Sequence, residues 1–262
     1  MSEVVRMSID DGVAVITLNR PERLNAWTLE LENQYFDRLE ECGSSPEVRV
    51  IVVTGAGRGF CAGADMDDLQ ALGDGSVDAD QRAAARRPQT LALSIPKPII
   101  AAVNGAAAGL GLVQALLCDI RFAAEGAKLT TAFARRGLVA EHGISWILPR
   151  LVGPARALDL LLSGRVVLAD EAHELGMVNR VIAPESLMEE TLAYAGELAS
   201  SCSPASMASM KRQVYTDLSA TLPDALERAD GLMLESFTAP DFVEGVSSFL
   251  ERRDPRFQPL GA

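Results

Sequence analysis

The chain has 262 residues, a net charge of −12 at neutral pH and 48% apolar residues. A chain of this length and apolar content can bury a large core, which excludes a disordered protein. The acidic balance argues against nucleic acid as the main partner, because the phosphates would be repelled. No apolar run approaches the roughly 20 residues of a membrane span. We therefore expect a globular protein with neither a membrane nor a nucleic acid as its partner.

The cysteines and the first residues indicate a reducing compartment. The four cysteines lack the spacing of a disulfide framework or a metal site, so we expect free thiols and no bound metal. Residues 1–6 lack the basic start and apolar centre of a signal peptide. A cytoplasmic location follows as an expectation.

The chain opens with a predicted hairpin, because two apolar stretches flank the turn dipeptide Asp11-Gly12. After a loop over residues 19–26, Thr28 is placed to cap a helix that runs to about Cys42. The β-branched residues of 48–53 then predict a buried strand.

A glycine-rich turn follows this strand and leads into a helix from about Asp65. Residues 73–88 mix glycine, alanine and charge, which predicts a loop, either a lid or a solvated connection, before a helix over residues 90–94.

The stretch 99–119 organises the centre of the chain as a strand, a turn and a buried helix. The turn holds Gly105, Gly109 and Gly111, and apolar residues follow on nearly every helix face. The first N–H groups of a helix have no acceptor within it, so they form a site for negative charge. A tight turn at a crowded junction is the alternative interpretation.

The remaining chain alternates short strands and helices and then becomes helical. The tail from residue 187 is a series of helices broken near Pro204, Pro223 and Pro240. Strands are predicted over residues 120–124 and 178–182, an extended piece over 128–134, and helices over 146–152, 155–163 and 170–175.

Several familiar sites are absent from the sequence. It contains no phosphate loop, no dinucleotide-binding glycine fingerprint and no G-x-S-x-G nucleophile turn. It has two histidines, too few for a histidine metal cluster. His173 shares a helix with acidic residues and is expected at the surface, whereas His142 adjoins Glu141 in a glycine-bounded loop.

Two segments, residues 60–66 and 104–111, resemble the crotonase (enoyl-CoA hydratase/isomerase) superfamily. Further similar residues occur in order over nearly the whole chain, at positions 18–26, 118–120, 162–165 and 244–253. The resemblance implies an α/β fold, a spiral of ββα units with a C-terminal helical trimerisation region. It divides the chain into a core with the acyl-CoA site over 1–199 and an oligomerisation region over 200–262, building homotrimers or hexamers (dimers of trimers).

The resemblance further implies an acyl-CoA thioester substrate whose oxygen is held by two backbone N–H groups. These positions match Ala64 and Leu110, where leucine replaces the usual glycine. Because the donor belongs to the main chain, any residue except proline can supply it. Coenzyme A enters as part of the substrate, and no separate cofactor is implied.

The acid/base residues depart from the hydratase pattern. The two glutamates that hydratases use correspond to Val113 and Phe133, neither of which can transfer a proton. Glu141 lies in a loop that resembles the one on which acyl-CoA isomerases carry their single acid/base group. Leu138 and Trp146 would add to its apolar surroundings.

The substrate-binding residues also follow from the resemblance. Phe249 and Arg252 would come from a neighbouring subunit, where Arg252 would contact a phosphate of coenzyme A. The remaining contacts are assigned to Arg23, Leu24, Ala26, Ala62, Asp65, Met66, Gly109, Phe133 and Leu138.

Three functions remain open at this point. The first is an enoyl-CoA isomerase that uses Glu141. The second is a hydratase or another thioester enzyme that uses a different residue, such as His142 or Asp67. The third is a non-catalytic member that binds CoA esters or acts as a scaffold.

Overall fold

Stretches rich in valine, isoleucine and alanine form the larger of two sheets in the computed structural model, which describes residues 3–260. Its strands are β1 (Val5–Asp10), β2 (Val13–Leu18), β3 (Val50–Gly55), β5 (Ile99–Val103), β7 (Ile120–Ala124) and β10 (Arg180–Ile182). They lie in the order β1-β2-β3-β5-β7-β10, and only the β1-β2 hairpin is antiparallel. β3 and β5 are buried throughout, as parallel strands covered on both faces must be.

The smaller sheet is built from very short strands. These are β4 (Gly59–Cys61), β6 (Ala106–Ala108), β8 (Lys128–Thr130) and β9 (Val167–Leu168), which lie in that order. β4, β6 and β8 pair in parallel, and β9 closes the sheet in the antiparallel direction.

Helices cover both sheets and form the whole C-terminal part. They are α1 (Leu29–Ser44), α2 (Met66–Gly73), α3 (Ala79–Ala85), α4 (Leu110–Leu116), α5 (Ile144–Val152), α6 (Pro154–Ser163), α7 (Ala169–Glu174), α8 (Leu187–Ser201), α9 (Pro204–Asp217), α10 (Leu222–Ser236) and α11 (Pro240–Glu251). Among the described residues, no helix is both long and apolar enough to cross a bilayer.

A repeated unit generates the architecture. In the runs β3-β4-α2, β5-β6-α4 and β7-β8-α5, the first strand joins the larger sheet, the second joins the smaller sheet, and a helix follows. Successive repeats therefore wind around one buried core, with α4 buried on all of its residues. The predicted spiral of ββα units is confirmed.

Most predicted elements are present, and the differences have local causes. Thr28 caps α1 as expected, because its hydroxyl accepts a hydrogen bond from the Leu31 N–H. The segment predicted as a loop over residues 73–88 contains α3, which Asp78 caps. The helix expected over residues 90–94 is only one 3-10 turn.

Two further boundaries differ from the sequence predictions. The extended piece predicted over residues 128–134 ends as a strand at Thr130, and a 3-10 turn over Ala134–Arg136 follows. Each proline that was expected to break the tail lies in the first turn of a helix, where its missing N–H costs no hydrogen bond.

The C-terminal helices α9, α10 and α11 rest on the core through a few polar anchors. Lys211 of α9 forms an ion pair with Asp119 at 2.8 Å, and the Tyr215 hydroxyl donates to the same carboxylate at 3.0 Å. The division into regions 1–199 and 200–262 stays a prediction, and its outer limits lie outside the described residues. α8 ends within two residues of the predicted boundary.

Candidate active site

Two asparagines, the buried Asn25 and the partly exposed Asn104, fix the glycine-rich turns beside the site. Asn25 donates through Nδ2 to the carbonyls of Gly59 at 2.8 Å and Phe60 at 3.1 Å. Asn104 donates through Nδ2 to the Gly55 carbonyl at 2.9 Å. Side-chain amides are suited to this task because one group can donate two hydrogen bonds and accept others. The backbone between β3 and β4 is therefore held from two sides.

Two glycines bring separate turns into contact. Gly63 has a φ of +93° and Gly109 a φ of +49°, a region in which side chains are strained. A Cβ atom on Gly63 would lie only 2.7 Å from the carbonyl oxygen of Ala108, so the two turns touch. Ala64 and Leu110 follow directly after these glycines, and both line the same pocket.

The N–H groups of Ala64 and Leu110 point to anion binding. Leu110 is the first residue of α4, and Ala64 precedes the start of α2 by two residues. In the described part of the chain, neither N–H donates to an acceptor. Two fixed main-chain donors at helix starts can stabilise the negative oxygen that develops in an enolate.

An ion pair secures the start of α2. Asp65 caps the helix by accepting from the Asp67 N–H, and the Arg20 guanidinium donates to its carboxylate at 2.9 Å. Burial alone would raise the pKa of Asp65, but the hydrogen bonds from Arg20 and Asp67 outweigh it and hold that pKa below its ordinary value. Asp65 is therefore a structural anion.

Glu141 is presented by a strained loop before α5. Gly137 and Gly143 both have positive φ angles, and so does His142, at +58°. The Glu141 carboxylate is half-buried at the pocket wall. Its burial raises the pKa above the ordinary value, and the Arg86 guanidinium partly opposes this effect. A raised carboxyl pKa suits a group that must both accept and return a proton.

A second buried carboxylate was missed by the sequence analysis. Glu32 of α1 is fully buried and accepts from Trp27 Nε1 at 2.9 Å and from Arg86 Nη2 at 2.6 Å. The available signal was its position on the apolar face of α1, between Leu31 and Tyr35, where a charged residue needs a partner. The 54-residue separation from Arg86 hid that partner.

These groups surround one pocket of about 440 Å³, a volume within the usual range for small-molecule sites. Its lining is mainly apolar and includes Trp27, Glu32, Arg86 and His142 beside the predicted residues. The predicted site residues that line it are Glu141, Ala64, Leu110, Arg23, Ala26, Ala62, Asp65, Met66, Gly109, Phe133 and Leu138.

The other predicted residues lie outside this lining. Leu24 is adjacent to it, since its carbonyl accepts from the Ala62 N–H at 2.9 Å. Phe249, at 82% exposed, and Arg252 lie at the end of α11. Val113 is fully buried within α4.

Asp67 also lies outside the pocket lining. It is exposed and lies 3.5 Å from the Arg23 guanidinium. Within residues 3–260, no three histidine, cysteine or acidic side chains converge in an arrangement that could hold a metal ion.

Comparison with known proteins agrees with this geometry. Residues 8–259 match the enoyl-CoA hydratase/isomerase family, and the chain belongs to that family. It is 37% identical to the 1,2-epoxyphenylacetyl-CoA isomerase of Escherichia coli, an alignment that covers 98% of this chain and 99% of the relative. It is 38% identical to a probable enoyl-CoA hydratase of Rhodobacter capsulatus, covering 97% of each chain.

The fold comparison gives the same family. The crystal structure of a probable enoyl-CoA hydratase/isomerase from Mycobacterium abscessus superposes with a TM-score of 0.90 at 34% identity, covering 97% of this chain and 98% of the other. The chain is therefore an enzyme of the enoyl-CoA hydratase/isomerase family with a crotonase fold.

Proposed function

We propose that this enzyme moves a carbon–carbon double bond within an enoyl-CoA thioester, with Glu141 as its single acid/base group. The observation that carries the proposal is which of the three carboxylates that line the pocket have a cationic partner. Glu32 is paired with Arg86 and Asp65 with Arg20. Of these three carboxylates, Glu141 alone has no cationic partner in contact among the described residues, since burial holds His142 neutral.

The reaction needs one proton acceptor and one oxyanion site. Glu141 removes a proton from the α-carbon of a β,γ-unsaturated thioester, and the electron pair moves onto the thioester oxygen. The N–H groups of Ala64 and Leu110 stabilise that enolate oxygen. The enolate then collapses as Glu141 returns the proton to the γ-carbon, leaving the double bond conjugated with the thioester. The reaction consumes no water and needs no oxidant or reductant.

The positions of Val113 and Phe133 favour isomerisation over hydration. Val113 is buried in α4, and Phe133 brings an aromatic ring to the pocket wall. Adding water requires a group that holds and deprotonates it, and a pair of apolar side chains cannot do this. The Escherichia coli relative is named for isomerising an epoxide, 1,2-epoxyphenylacetyl-CoA, and the Rhodobacter relative is named a hydratase, so hydration is the activity to test against double-bond migration.

We also propose that the active form is a homotrimer or a dimer of trimers, and that coenzyme A is bound only as part of the substrate. Arg23 and Ala62 are assigned to one end of the coenzyme. Arg252 of an adjacent subunit is assigned to a phosphate. Arg252 supports this assignment because it makes no ion pair with any described residue, whereas Arg253 is already bound to Glu244 and Glu251.

Substitution of Glu141 by glutamine tests the proposal. The amide keeps the size and polarity of the side chain but cannot accept a proton. We expect isomerisation of a 3-enoyl-CoA to fall at least ~10²-fold, the lower limit for general acid–base catalysis, with little change in binding of the thioester. Absorbance of the conjugated product measures the rate, and calorimetry measures the binding.

Two further assays distinguish the alternatives. The wild type should hydrate a short 2-enoyl-CoA slowly or not at all, and efficient hydration would contradict the isomerase assignment. Asp67→Asn, in contrast to the Glu141 variant, should keep the wild-type rate; loss of activity there would make Asp67 the acid/base group. Binding without either reaction would indicate the non-catalytic function.

A further inference from the structure

The side chains of Glu141 and His142 approach each other at their tips. His142 Nε2 lies 3.3 Å from Glu141 Oε2. His142 has a left-handed backbone with a φ of +58°, and Gly143 continues it at +86°. A left-handed non-glycine residue is disfavoured and persists only where its surroundings enforce it. The loop is therefore strained at the point where this contact forms.

The surroundings fix the protonation state of His142. Burial, and to a lesser extent the Arg86 guanidinium, lower the pKa of this imidazole to about 4, against a smaller opposing effect of Glu32. Arg86 stays in place because its Nε and Nη2 groups both donate to Glu32. The ring is thus neutral at pH 7 and carries one N–H.

We assign this proton to Nε2, because Nε2 is the ring nitrogen beside Glu141 Oε2 and Nδ1 has no hydrogen-bond partner among the described residues. His173 differs, because its Nδ1 lies 2.9 Å from the Val178 carbonyl.

The other charged groups at the pocket do not contact the pair. Arg23 lies 3.5 Å from Asp67, and Arg136 donates through Nη1 to the Ala132 carbonyl at 3.4 Å. Asp65 is bound to Arg20. Arg86 and Glu32 are therefore the charges that act on His142, and Arg86 is the one that acts on Glu141.

We infer that His142 is a positioning residue for Glu141: its Nε2–H holds the Oε2 oxygen, so that the other carboxylate oxygen faces the acyl chain. This inference rests on the proposed function of Glu141. The 3.3 Å contact lacks the alignment of a formed hydrogen bond, and catalytic contacts of this kind align and shorten when substrate fills the site. A neutral donor steadies the carboxylate without supplying a counter-charge that would weaken it as a base.

Two amide substitutions at His142 separate positioning from a purely structural role. Glutamine carries its amide nitrogen near the position of Nε2, whereas asparagine carries it near Nδ1, out of reach of Glu141. Asparagine, however, accepts the left-handed backbone more readily than glutamine. If His142 positions Glu141 through Nε2, His142→Gln should be the more active variant. If His142 matters only because it holds the left-handed backbone, His142→Asn should be the more active variant.

The expected results are specific. His142→Gln should isomerise a 3-enoyl-CoA within a few-fold of the wild type. His142→Asn should lose roughly tenfold or more in kcat at unchanged KM, the scale of a hydrogen bond to a charged group. The acid limb of its pH profile should also move to higher pH, because a carboxylate that loses a donor binds its proton more tightly. Asparagine equal to or better than glutamine would overturn the inference.

A spectroscopic measurement decides the inference even if the isomerase assignment fails. The two histidines are labelled with ¹⁵N and observed by NMR while a saturated acyl-CoA is bound. The spectrum of the His173→Gln variant shows which signals belong to His142. His142 should be protonated on Nε2, and Glu141→Gln should shift its ring signals but not those of His173. Protonation of His142 on Nδ1, or His142 ring signals that do not change in the Glu141→Gln variant, would refute the contact between His142 and Glu141.

Discussion

Three carboxylates share one pocket, and their neighbours give them different tasks. Asp65 and Glu32 are each bound to an arginine, so both carboxylates already have a cationic partner. Glu141 is half-buried beside a neutral imidazole, so its charged form is poorly solvated. The pKa of Asp65 is lowered and that of Glu141 is raised. Such a separation between similar groups distinguishes a structural anion from a group that transfers protons.

The raised pKa of Glu141 has a consequence for stability. The folded state binds the Glu141 proton more tightly than the unfolded state does, so the stabilisation from this group is present at low pH and is lost as pH rises through the folded-state pKa. We therefore expect Glu141→Gln to unfold at a higher temperature than the wild type at pH 7.5. Thermal denaturation followed by circular dichroism should show the difference in melting temperature between the two proteins decreasing towards pH 4. A difference that does not depend on pH would contradict this prediction.

At the scale of elements, the start of α4 is the part of the fold on which the proposed chemistry depends. The helix begins at Leu110, after a glycine whose φ of +49° and ψ of −123° no side chain accommodates easily. The whole of α4 is buried, so the position of its first N–H groups is fixed before substrate arrives. This arrangement removes the cost of orienting donors during the reaction.

Two substitutions at Leu110 test the role of this N–H. Leu110→Gly keeps the donor and Leu110→Pro deletes it, while proline is well tolerated at the first position of a helix. We expect the glycine variant to retain activity and the proline variant to lose roughly 10²- to 10³-fold in kcat. Circular dichroism and urea denaturation check that both fold. Equal activity of the two folded variants would remove the Leu110 N–H from the mechanism.

At the scale of the whole molecule, the C-terminal helices expose an unusual amount of apolar surface. Leu226 and Leu234 on α10 are 55% and 63% exposed, and Leu250 on α11 is 74% exposed. Apolar surface of this kind is typical of protein interfaces, which supports the trimer or hexamer proposed above. Among the anchors that hold α9, α10 and α11 on the core, Lys211 and Tyr215 both contact Asp119.

We expect light scattering after gel filtration to give three or six times the chain mass. Placing charges on the exposed face of α10 with a Leu226→Glu and Leu234→Glu double variant should shift the protein towards monomers, because two carboxylates would have to be desolvated at the interface. A wild type that stays monomeric at high concentration would refute the assembly.

The proposed assembly also predicts how the substrate is bound. Arg252→Ala should raise KM for the CoA thioester with little change in kcat, and the effect should shrink at high salt because the contact is electrostatic. Arg253→Ala is the matched control, since the neighbouring guanidinium is already held by Glu244 and Glu251. Equal effects of the two substitutions would show that Arg252 has no specific role.

The sequence by itself determined the elements whose signals are local. The Asp11-Gly12 turn, the β-branched run of β3 and the Thr28 cap each depend on residues a few positions apart, so each could be predicted without the fold. The same holds for the turns before Ala64 and Leu110, because their glycines are adjacent to the donors. The resemblance to the crotonase superfamily then predicted that both turns supply N–H donors to one thioester oxygen.

Only the tertiary structure decided the features that depend on distant residues. β4 and β6 are three-residue strands that exist because the ββα repeats stack, and their sequences carry little periodicity. Glu32 acquires its partner from a residue 54 positions away, and that partner in turn sets the charge near Glu141 and His142. Burial and charge are sums over all neighbours in space, so the protonation states of the site follow from packing that no local pattern contains.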